Sequence, residues 1–420
     1  MKDHIKECVF IKNSLNQSFV LYIDNKQDLI FNELDTNNNI INSTKIQNHV
    51  LEFSSSICKN DKIHLVSLID NGDLIYSIRS NELWHKNLII KLNTKSNIYK
   101  HLKIFLHEDY INIFFAFTNL TNTNLWTIEQ IIRNSNNWRK KVVTSIFSEK
   151  NLSPFYIDKD NFGNISLVYN AKEYDSNHIY YSFYNIFTEK WLPNPIKISN
   201  STVNNILPYL FIDSKNNIHA LWYSLNNNEY LLTYKRFSAV GKNKYQWVKV
   251  NLPKIINSDL PSVIFEENNA LKILYISDNK INSISSPNFG EEWRLENSSP
   301  LNISPNYLAK YSSNFTLNNI SQKFNHYYIN INNEHIHFYL NDYHNRRYLN
   351  KKSETTSIQE TNLKTNALIN NSNSLEHNSL LINQIMNTVN NIERELILVK
   401  EKIIDIEKTQ KEKKGLPWRK

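Results

Sequence analysis

The amino-acid sequence predicts an all-β propeller over residues 1–344, followed by a linker and a C-terminal coiled coil. Three observations lead to this prediction. Tryptophans recur at a nearly constant spacing, a hairpin pattern recurs in step with them, and an uninterrupted heptad pattern runs near the C-terminus.

The tryptophan repeat sets the period of the propeller. Five tryptophans lie 46 to 56 residues apart: Trp84, Trp138, Trp191, Trp247 and Trp293. Between them recurs an apolar run, a turn rich in Asp and Asn, and an alternating run, as in residues 211–223. This order is typical of a β-hairpin. Asn tolerates the left-handed turn conformation, so it can replace glycine, of which the chain has only 5.

The fullest repeat, residues 207–252, predicts four strands, A to D: Tyr209–Ile212, Ile218–Tyr223, Tyr230–Lys235 and Trp247–Val250. Four strands in about 45–55 residues are typical of a propeller blade, whose two apolar faces only neighbouring blades can cover. We expect seven blades, with six as the alternative, because residues 305–340 show only two clear strands, Tyr327–Ile331 and His335–Tyr339. The regular period disfavours a two-sheet sandwich or tandem small β domains.

One segment resembles a known family. Ser286–Trp293 reads Ser-Pro-Asn-Phe-Gly-Glu-Glu-Trp and resembles the Asp-box, Ser-x-Asp-x-Gly-x-x-Trp, of the sialidase-like BNR propellers, with Asn288 in the Asp position. It lies between predicted strands C and D, where that family carries it. The resemblance implies a folding element away from the active site, in which Trp293 fills the core.

Sialidase activity is not expected. The resemblance implies that such an enzyme needs three arginines for the substrate carboxylate, a tyrosine nucleophile with a glutamate base, and an aspartate acid. The arginines of residues 1–340 are Arg79, Arg133, Arg139, Arg236 and Arg294. None lies near the start of a predicted innermost strand, and the family's Arg-Ile-Pro signature is missing. We therefore predict no catalytic residue, no metal and no cofactor.

Other propeller glycosidases place carboxylates around a central funnel, about 5–10 Å apart. The candidates are Asp24, Asp158 and Asp213, which we expect at the turns between strands A and B. There an Asp more commonly caps the turn by accepting hydrogen bonds from nearby backbone N–H groups. His64 and His219 share one position on strand B and are expected to be structural.

The loops between strands B and C and the connections between blades lie at the opposite end, where we predict the ligand contacts. The candidates are Asp70, Glu173, Asp175, Tyr223, Glu229 and Asp278. A tyrosine beside acids can hold a sugar or a peptide. Ordinary solvated surface is the alternative interpretation.

The C-terminal part changes character. Residues 345–374 are rich in Asn, Ser and Thr and predict a flexible linker, and residues 375–413 predict a helix. Its seam residues alternate by three and four: Ile382, Ile385, Val389, Ile392, Leu396, Val399, Ile403 and Ile406. β-branched residues at every d position favour three or four helices, and Glu395–Lys400 favours a parallel arrangement. An amphipathic helix packed on its own propeller is the alternative.

The charge is concentrated at the end of the chain. The net charge is +8, and residues 408–420 supply six basic residues and one Glu, which leaves the remainder near neutral. We therefore expect no specific nucleic-acid partner. The tail 414–420, with Trp418 among cations, is either solvated or a peripheral contact. The sequence shows no signal peptide and no apolar run of about 18 residues, so we expect a cytoplasmic protein.

These patterns lead to one main functional hypothesis and two alternatives. The main one is a non-enzymatic binding or scaffold protein, a trimer or tetramer whose coiled coil multiplies a glycan or peptide site. The alternatives are a glycan-active hydrolase and a structural protein of a coat, envelope or surface layer.

Overall fold

The computed structural model describes residues 6–339, except 81, 109, 135–136, 149–154, 200–202, 241–242, 257–259, 302–304, 306, 316–321 and 333–334. The predicted linker, coiled-coil helix and basic tail lie outside the described residues. Within the described part, no helix has the length and hydropathy to cross a membrane.

The described chain is all-β, and its first 25 strands form six sheets that we number units 1 to 6. Units 1 to 3 are β1 (Lys6–Lys12), β2 (Ser18–Ile23), β3 (Leu29–Leu34), β4 (Ile40–Gln47); β5 (Val50–Ile57), β6 (Ile63–Ile69), β7 (Asp73–Ser80), β8 (Leu83–Lys91); and β9 (Asn97–His107), β10 (Tyr110–Asn119), β11 (Asn122–Asn134), β12 (Asn137–Phe147). Units 4 to 6 are β13 (Tyr156–Lys159), β14 (Ile165–Glu173), β15 (Ser176–Asn185), β16 (Lys190–Trp191), β17 (Ile196–Lys197); β18 (Asn205–Ile212), β19 (Ile218–Asn226), β20 (Glu229–Phe237), β21 (Trp247–Lys249); and β22 (Val263–Glu267), β23 (Ala270–Ser277), β24 (Lys280–Ser286), β25 (Arg294–Pro300). The C-terminal strands are β26 (Tyr307–Ser313), β27 (Gln322–Lys323), β28 (His326–Ile331) and β29 (Ile336–Phe338).

Each unit is an antiparallel meander in which consecutive strands pair. In unit 4 the fourth strand is divided into β16 and β17, which both pair with β15. The prediction of an all-β body built from repeated small sheets is confirmed. The four strands predicted for residues 207–252 correspond to β18–β21. The fourth strand of unit 1, β4, was missed, because most of its side chains are exposed and it has no apolar alternation.

The C-terminal strands join the first sheet. β26 pairs with β1 in parallel, from Lys6 opposite Tyr307 to Lys12 opposite Ser313. β28 and β29 continue from β26 in antiparallel order, which gives a seven-stranded sheet. The two strands predicted near residue 330 correspond to β28 and β29. The short strand β27 pairs instead with β22 of unit 6.

The core lies between neighbouring sheets. Buried clusters join unit 1 to unit 2, unit 2 to unit 3, and unit 3 to unit 4. The largest cluster extends from unit 4 through units 5 and 6 to the C-terminal strands. A fifth cluster joins the C-terminal strands to unit 1, where Phe338 of β29 packs on Phe10 of β1 with ring centroids 4.5 Å apart. The series of sheets therefore closes on itself.

The repeated tryptophans contact the preceding unit. Each lies in or directly before the outermost strand and meets an aromatic ring of the previous sheet edge-on, at interplanar angles of 70–86°. The pairs are Trp84–Phe31, Trp138–Tyr76, Trp191–Phe114, Trp247–Tyr181 and Trp293–Tyr234, with centroids 5.1–6.1 Å apart. This geometry suits the positive edge and negative face of aromatic rings. The tryptophan period is thus the period of the interfaces.

A five-residue turn with a side-chain cap recurs in the hairpins. Its first residue is Asn or Asp, whose Oδ1 accepts the backbone N–H groups two and four residues later; these first residues are Asn13, Asp24, Asp35, Asp160 and Asp213. The fourth residue is left-handed, as at Asn216 with φ 63°. The predicted capping role of Asp24 and Asp213 is confirmed, whereas that of Asp158 is wrong, because Asp158 lies in β13 and Asp160 caps the turn that follows. The predicted place of Asp24 is wrong, because the same turn also joins β2 to β3.

The segment Ser286–Trp293 forms a turn stabilised by its own side chains. Ser286 Oγ donates to Asn288 Oδ1 at 2.9 Å and accepts the Gly290 N–H at 2.8 Å. Gly290 has φ 87°, and a Cβ there would lie 2.0 Å from the Tyr234 hydroxyl. Trp293 is 7% exposed and packs on the same tyrosine. The turn therefore fixes the contact between units 5 and 6.

We predict that Trp293→Ala lowers the free energy of unfolding by about 3–5 kcal/mol, since it removes a buried indole and leaves a cavity. Equilibrium urea unfolding would measure the change. Leu295→Ala is the matched control, because this residue of β25 is 69% exposed and its truncation should cost less than about 0.5 kcal/mol. Equal losses for both variants would contradict the role assigned to Trp293.

Candidate functional site

The meander order gives each sheet two ends. We call the end with the loops between second and third strands, and the connections between units, the B–C face. The other end, with the remaining hairpin loops, is the A–B face. Because successive hairpins alternate ends, Glu173, Asp175 and Lys197 of unit 4 all lie at the B–C face.

Three side chains of unit 4 form what we call the Glu173 cluster: Glu173, Tyr180 and Lys197. Glu173 ends β14, Tyr180 lies on β15, and Lys197 ends β17 opposite Tyr180. Glu173 Oε2 accepts hydrogen bonds from Tyr180 Oη at 2.9 Å and from Lys197 Nζ at 2.6 Å. The side chains of Glu173 and Lys197 are 42% and 39% exposed. The cluster is thus ordered by the sheet and open to solvent.

An aromatic residue directly follows Glu173 in the chain. Tyr174 and Asp175 form the two-residue loop between β14 and β15. Tyr174 has φ 54°, which a bulky residue seldom adopts. Its side chain is 90% exposed, so this loop presents an aromatic face to solvent next to a carboxylate.

The support beneath the cluster is rigid. Tyr180 stacks on Tyr169 at 5.6 Å with an interplanar angle of 14°. His178 is buried, and its Nδ1 lies 3.3 Å from Ser199 Oγ in the connection to unit 5. At the start of β18, Asn205 Nδ2 donates to the Asn177 carbonyl at 2.8 Å. These contacts hold β15 in place, so binding there requires little ordering of the backbone.

Charge and burial define the chemistry of the cluster. The hydrogen bonds from Lys197 and Tyr180 lower the pKa of Glu173, so its carboxylate stays ionised. Burial, together with Glu173, raises the pKa of Tyr180 to about 12, so its hydroxyl stays a donor. A glycosidase acid needs a raised carboxyl pKa, and a tyrosine nucleophile needs an accessible phenolate. Glu173 is therefore a charged acceptor and Tyr180 a donor in this cluster.

The other predicted ligand residues are spread over several units. Asp70 is exposed, with its carboxylate 4.0 Å from His49. Glu229 pairs with Lys254 at 3.3 Å, and Asp278 is exposed in the loop between β23 and β24. Tyr223 is 1% exposed, and its hydroxyl lies 2.7 Å from Ser262 Oγ. Of the predicted set, the structure brings together Glu173 and Asp175.

Sequence reasoning missed Tyr180 and Lys197 as members of the cluster. Tyr180 could have been found, because it pairs with Tyr169 once Tyr174 and Asp175 are taken as a two-residue loop. Lys197 lies on a strand of only two residues, which leaves no alternating pattern to detect.

The centre of the molecule is filled by its own C-terminal strands. Lys310 of β26 donates to the Ile104 carbonyl at 2.7 Å, and Asn325 donates to Asp158 Oδ2 at 2.8 Å. His326 Nδ1 lies 3.0 Å from the Tyr209 hydroxyl. These contacts reach the first strands of units 3, 4 and 5, while β26 pairs with β1 and β27 with β22. Asp158 is 4% exposed and caps the Ile212 N–H, so it serves packing here.

Two histidines, the buried His219 and the half-buried His64, occupy equivalent positions. In unit 5, His219 Nε2 lies 3.0 Å from Asp213 Oδ2 and its Nδ1 lies 2.7 Å from the Tyr234 hydroxyl. In unit 2, His64 Nδ1 lies 2.5 Å from the Tyr76 hydroxyl, and His64 Nε2 has no hydrogen-bond partner among the described residues. Burial lowers the pKa of both histidines, that of His64 to about 4. Each network joins neighbouring strands of one sheet, so we assign both histidines a structural role. Within the described residues, no three His, Cys, Asp or Glu side chains are placed to hold a metal ion.

Comparisons with known proteins add the fold. No protein-family model and no curated protein matches the sequence. Among solved structures, the chain is similar to the BP39L lectin from Burkholderia pseudomallei, with 11% identity, coverage of 73% of this chain and 88% of that chain, and a TM-score of 0.51. It also resembles the fungal Aleuria aurantia lectin, described as a six-bladed β-propeller, with 10% identity, coverage of 71% and 97%, and a TM-score of 0.40. A Penicillium chrysogenum α-L-arabinanase matches with 7% identity, coverage of 58% and 80%, and a TM-score of 0.41.

Of these three, only the first exceeds a TM-score of 0.5, and at 11% identity it concerns the fold alone. Together with the closed series of meander sheets, it supports the predicted β-propeller.

We predict that the free energy of unfolding falls as the pH decreases from about 6.5 to 4. In this range His64 binds a proton in the unfolded chain but stays neutral in the folded chain, because its pKa is lowered to about 4. At pH 4 this difference in protonation lowers the free energy of unfolding by an amount of the order of 2–3 kcal/mol. Urea unfolding at several pH values would measure it. His64→Gln keeps a polar group beside Tyr76 without titrating, so its stability should change less over this range. Identical pH profiles for both proteins would contradict the prediction.

Proposed function

We propose that this protein is a non-enzymatic, glycan-binding β-propeller whose ligand sits at the Glu173 cluster. The observation that carries the proposal is the exposed Tyr174, next in the chain to an ionised carboxylate that already holds two donors. Sugars offer an apolar ring face and hydroxyl groups, and a site with an aromatic face and fixed polar groups is complementary to both.

A binding role is favoured over hydrolysis. A glycosidase needs two carboxyl groups about 5–10 Å apart around the scissile bond, and one of them must be protonated. The pKa of Glu173 is lowered, and Asp158 near the centre accepts hydrogen bonds from Ile212 and Asn325. The C-terminal strands occupy the centre, where the carboxylates of such an enzyme would lie.

We infer six blades rather than the seven expected first. Units 1 to 6 each supply an antiparallel meander, whereas β26, β28 and β29 continue the sheet of unit 1. On this interpretation the C-terminal strands close and fill a six-bladed ring.

The predicted coiled coil completes the proposal. A single exposed site binds weakly, and joining three or four copies raises the avidity without any new contact. The seam from Ile382 to Ile406 would supply that association.

The ligand proposal is tested on a glycan array with the intact protein and three variants. Tyr174→Ala and Glu173→Gln should each reduce the signal at least about tenfold, since one removes the aromatic face and the other the charged acceptor. Tyr245→Ala is the matched control. Tyr245 is also left-handed, with φ 59°, and 64% exposed, but it lies between β20 and β21 on the A–B face. A wild-type protein that binds no glycan, or equal losses for Tyr174→Ala and Tyr245→Ala, would refute the proposal.

The association is tested separately by light scattering. The intact chain should have three or four times the mass of its protomer, and a chain ending at residue 345 should be monomeric, because it lacks the apolar seam. Ile385→Asp with Ile392→Asp in the intact chain should also give monomers. Equal protomer numbers for the intact and shortened chains would contradict the coiled coil.

A further inference from the structure

We propose that the Glu173 cluster takes a neutral sugar through two adjacent hydroxyl groups, and that each chain holds one such site. This inference rests on the proposed glycan-binding function and narrows its ligand.

The open hydrogen-bonding positions of the cluster lie side by side. Glu173 Oε2 is occupied by Tyr180 and Lys197, while Oε1 accepts no hydrogen bond from the residues that the structure describes. Lys197 uses one N–H on Glu173, and an ammonium group has three. The open acceptor and the open donor are therefore neighbours, because Oε1 belongs to the same carboxylate as Oε2, which lies 2.6 Å from Lys197 Nζ.

Two adjacent hydroxyl groups match this pair. A hydroxyl can both donate and accept. One hydroxyl of the sugar would donate to Glu173 Oε1, and the next would accept from Lys197 Nζ. Tyr180 cannot replace Lys197 as the donor, because its proton is already given to Glu173. Tyr174, next to Glu173 in the chain, would cover the apolar face of the same ring.

Charge selects against acidic sugars. The carboxylate of a uronic or sialic acid would approach Glu173 and, two residues on, Asp175. Lys197 already shares its charge with Glu173, at 2.6 Å. A like charge brought next to a carboxylate costs binding energy, so a neutral sugar is preferred.

The same arrangement is not repeated in the other described hairpins. Counting that of unit 4, four hairpins have a two-residue loop at the B–C face, and the residues before these loops are Asn119, Glu173, Asn226 and Ser277. The loops themselves are Leu120–Thr121, Tyr174–Asp175, Asn227–Asn228 and Asp278–Asn279. Among these four loops and the residues directly before them, only unit 4 combines an acid with an aromatic residue. In unit 5, Glu229 and Tyr230 follow the loop, but Tyr230 packs against the hydrophobic core. One site per chain follows.

Saturation-transfer NMR and calorimetry with the intact protein test the inference. The probes are the methyl glycosides of mannose and galactose, their analogues lacking one ring hydroxyl, and the methyl glycoside of glucuronic acid. At least one neutral glycoside should bind once per chain. Removal of either of two adjacent hydroxyls should weaken it about tenfold or more, because a charged group then loses its partner. The glucuronide should bind more weakly than both neutral glycosides.

Lys197→Met provides the internal check. It should weaken the intact glycoside about tenfold or more, yet leave the affinity for the analogue that lacks the Lys197-facing hydroxyl nearly unchanged. Lys254→Met, another lysine paired with a glutamate on the B–C face, is the control and should change neither affinity.

The outcomes separate the two proposals. If glycans bind but acidic sugars bind best, if two or more sites per chain appear, or if no adjacent pair of hydroxyls matters, the inference fails and glycan binding stands. If neither the array nor the NMR experiment detects glycan binding, both the proposed function and this inference are wrong.

Discussion

Each sheet of this molecule has two apolar faces, and no sheet can cover either face by itself. At five interfaces the facing sheets are joined by an edge-on contact between a tryptophan and an aromatic ring of the preceding sheet. It fixes the distance and the rotation between neighbours, because an indole edge fits a ring face in few orientations. The B–C face owes its layout to these contacts, since the position of every loop follows from the sheet that carries it.

Much of this architecture was predictable because it repeats. The tryptophan spacing, the capped turns and the strands of unit 5 are local patterns, and repetition makes them visible above chance. β4 was missed because its exposed face carries no alternation, and β26 because its partner lies about three hundred residues away. The site followed the same division. Glu173 and Asp175 are recognisable in the sequence as acids of one predicted loop region. Lys197 contacts Glu173 only because β17 pairs with β15 in the folded sheet.

Unit 4 departs from the pattern of its neighbours. Its fourth strand is divided, and a left-handed tyrosine directly follows a glutamate that is paired with a lysine. Departures from local rules tend to concentrate where a protein binds its ligand, because the remaining repeats are enough to hold the fold. The other units can be understood as support that keeps these few residues in register. This is the usual relation between a common fold and the site placed on it.

The parallel pairing of β1 with β26 has a consequence for how the molecule is made. β1 emerges from the ribosome about three hundred residues before β26, with which it pairs. Until then the inner edge of the first sheet and the side chains that meet Phe338 stay uncovered. Uncovered strand edges invite pairing with other chains. Contacts of such long sequence separation also form slowly. Nascent chains of this protein therefore expose an unpaired strand edge that can associate with other chains. Pairing of β26 with β1 ends this exposure.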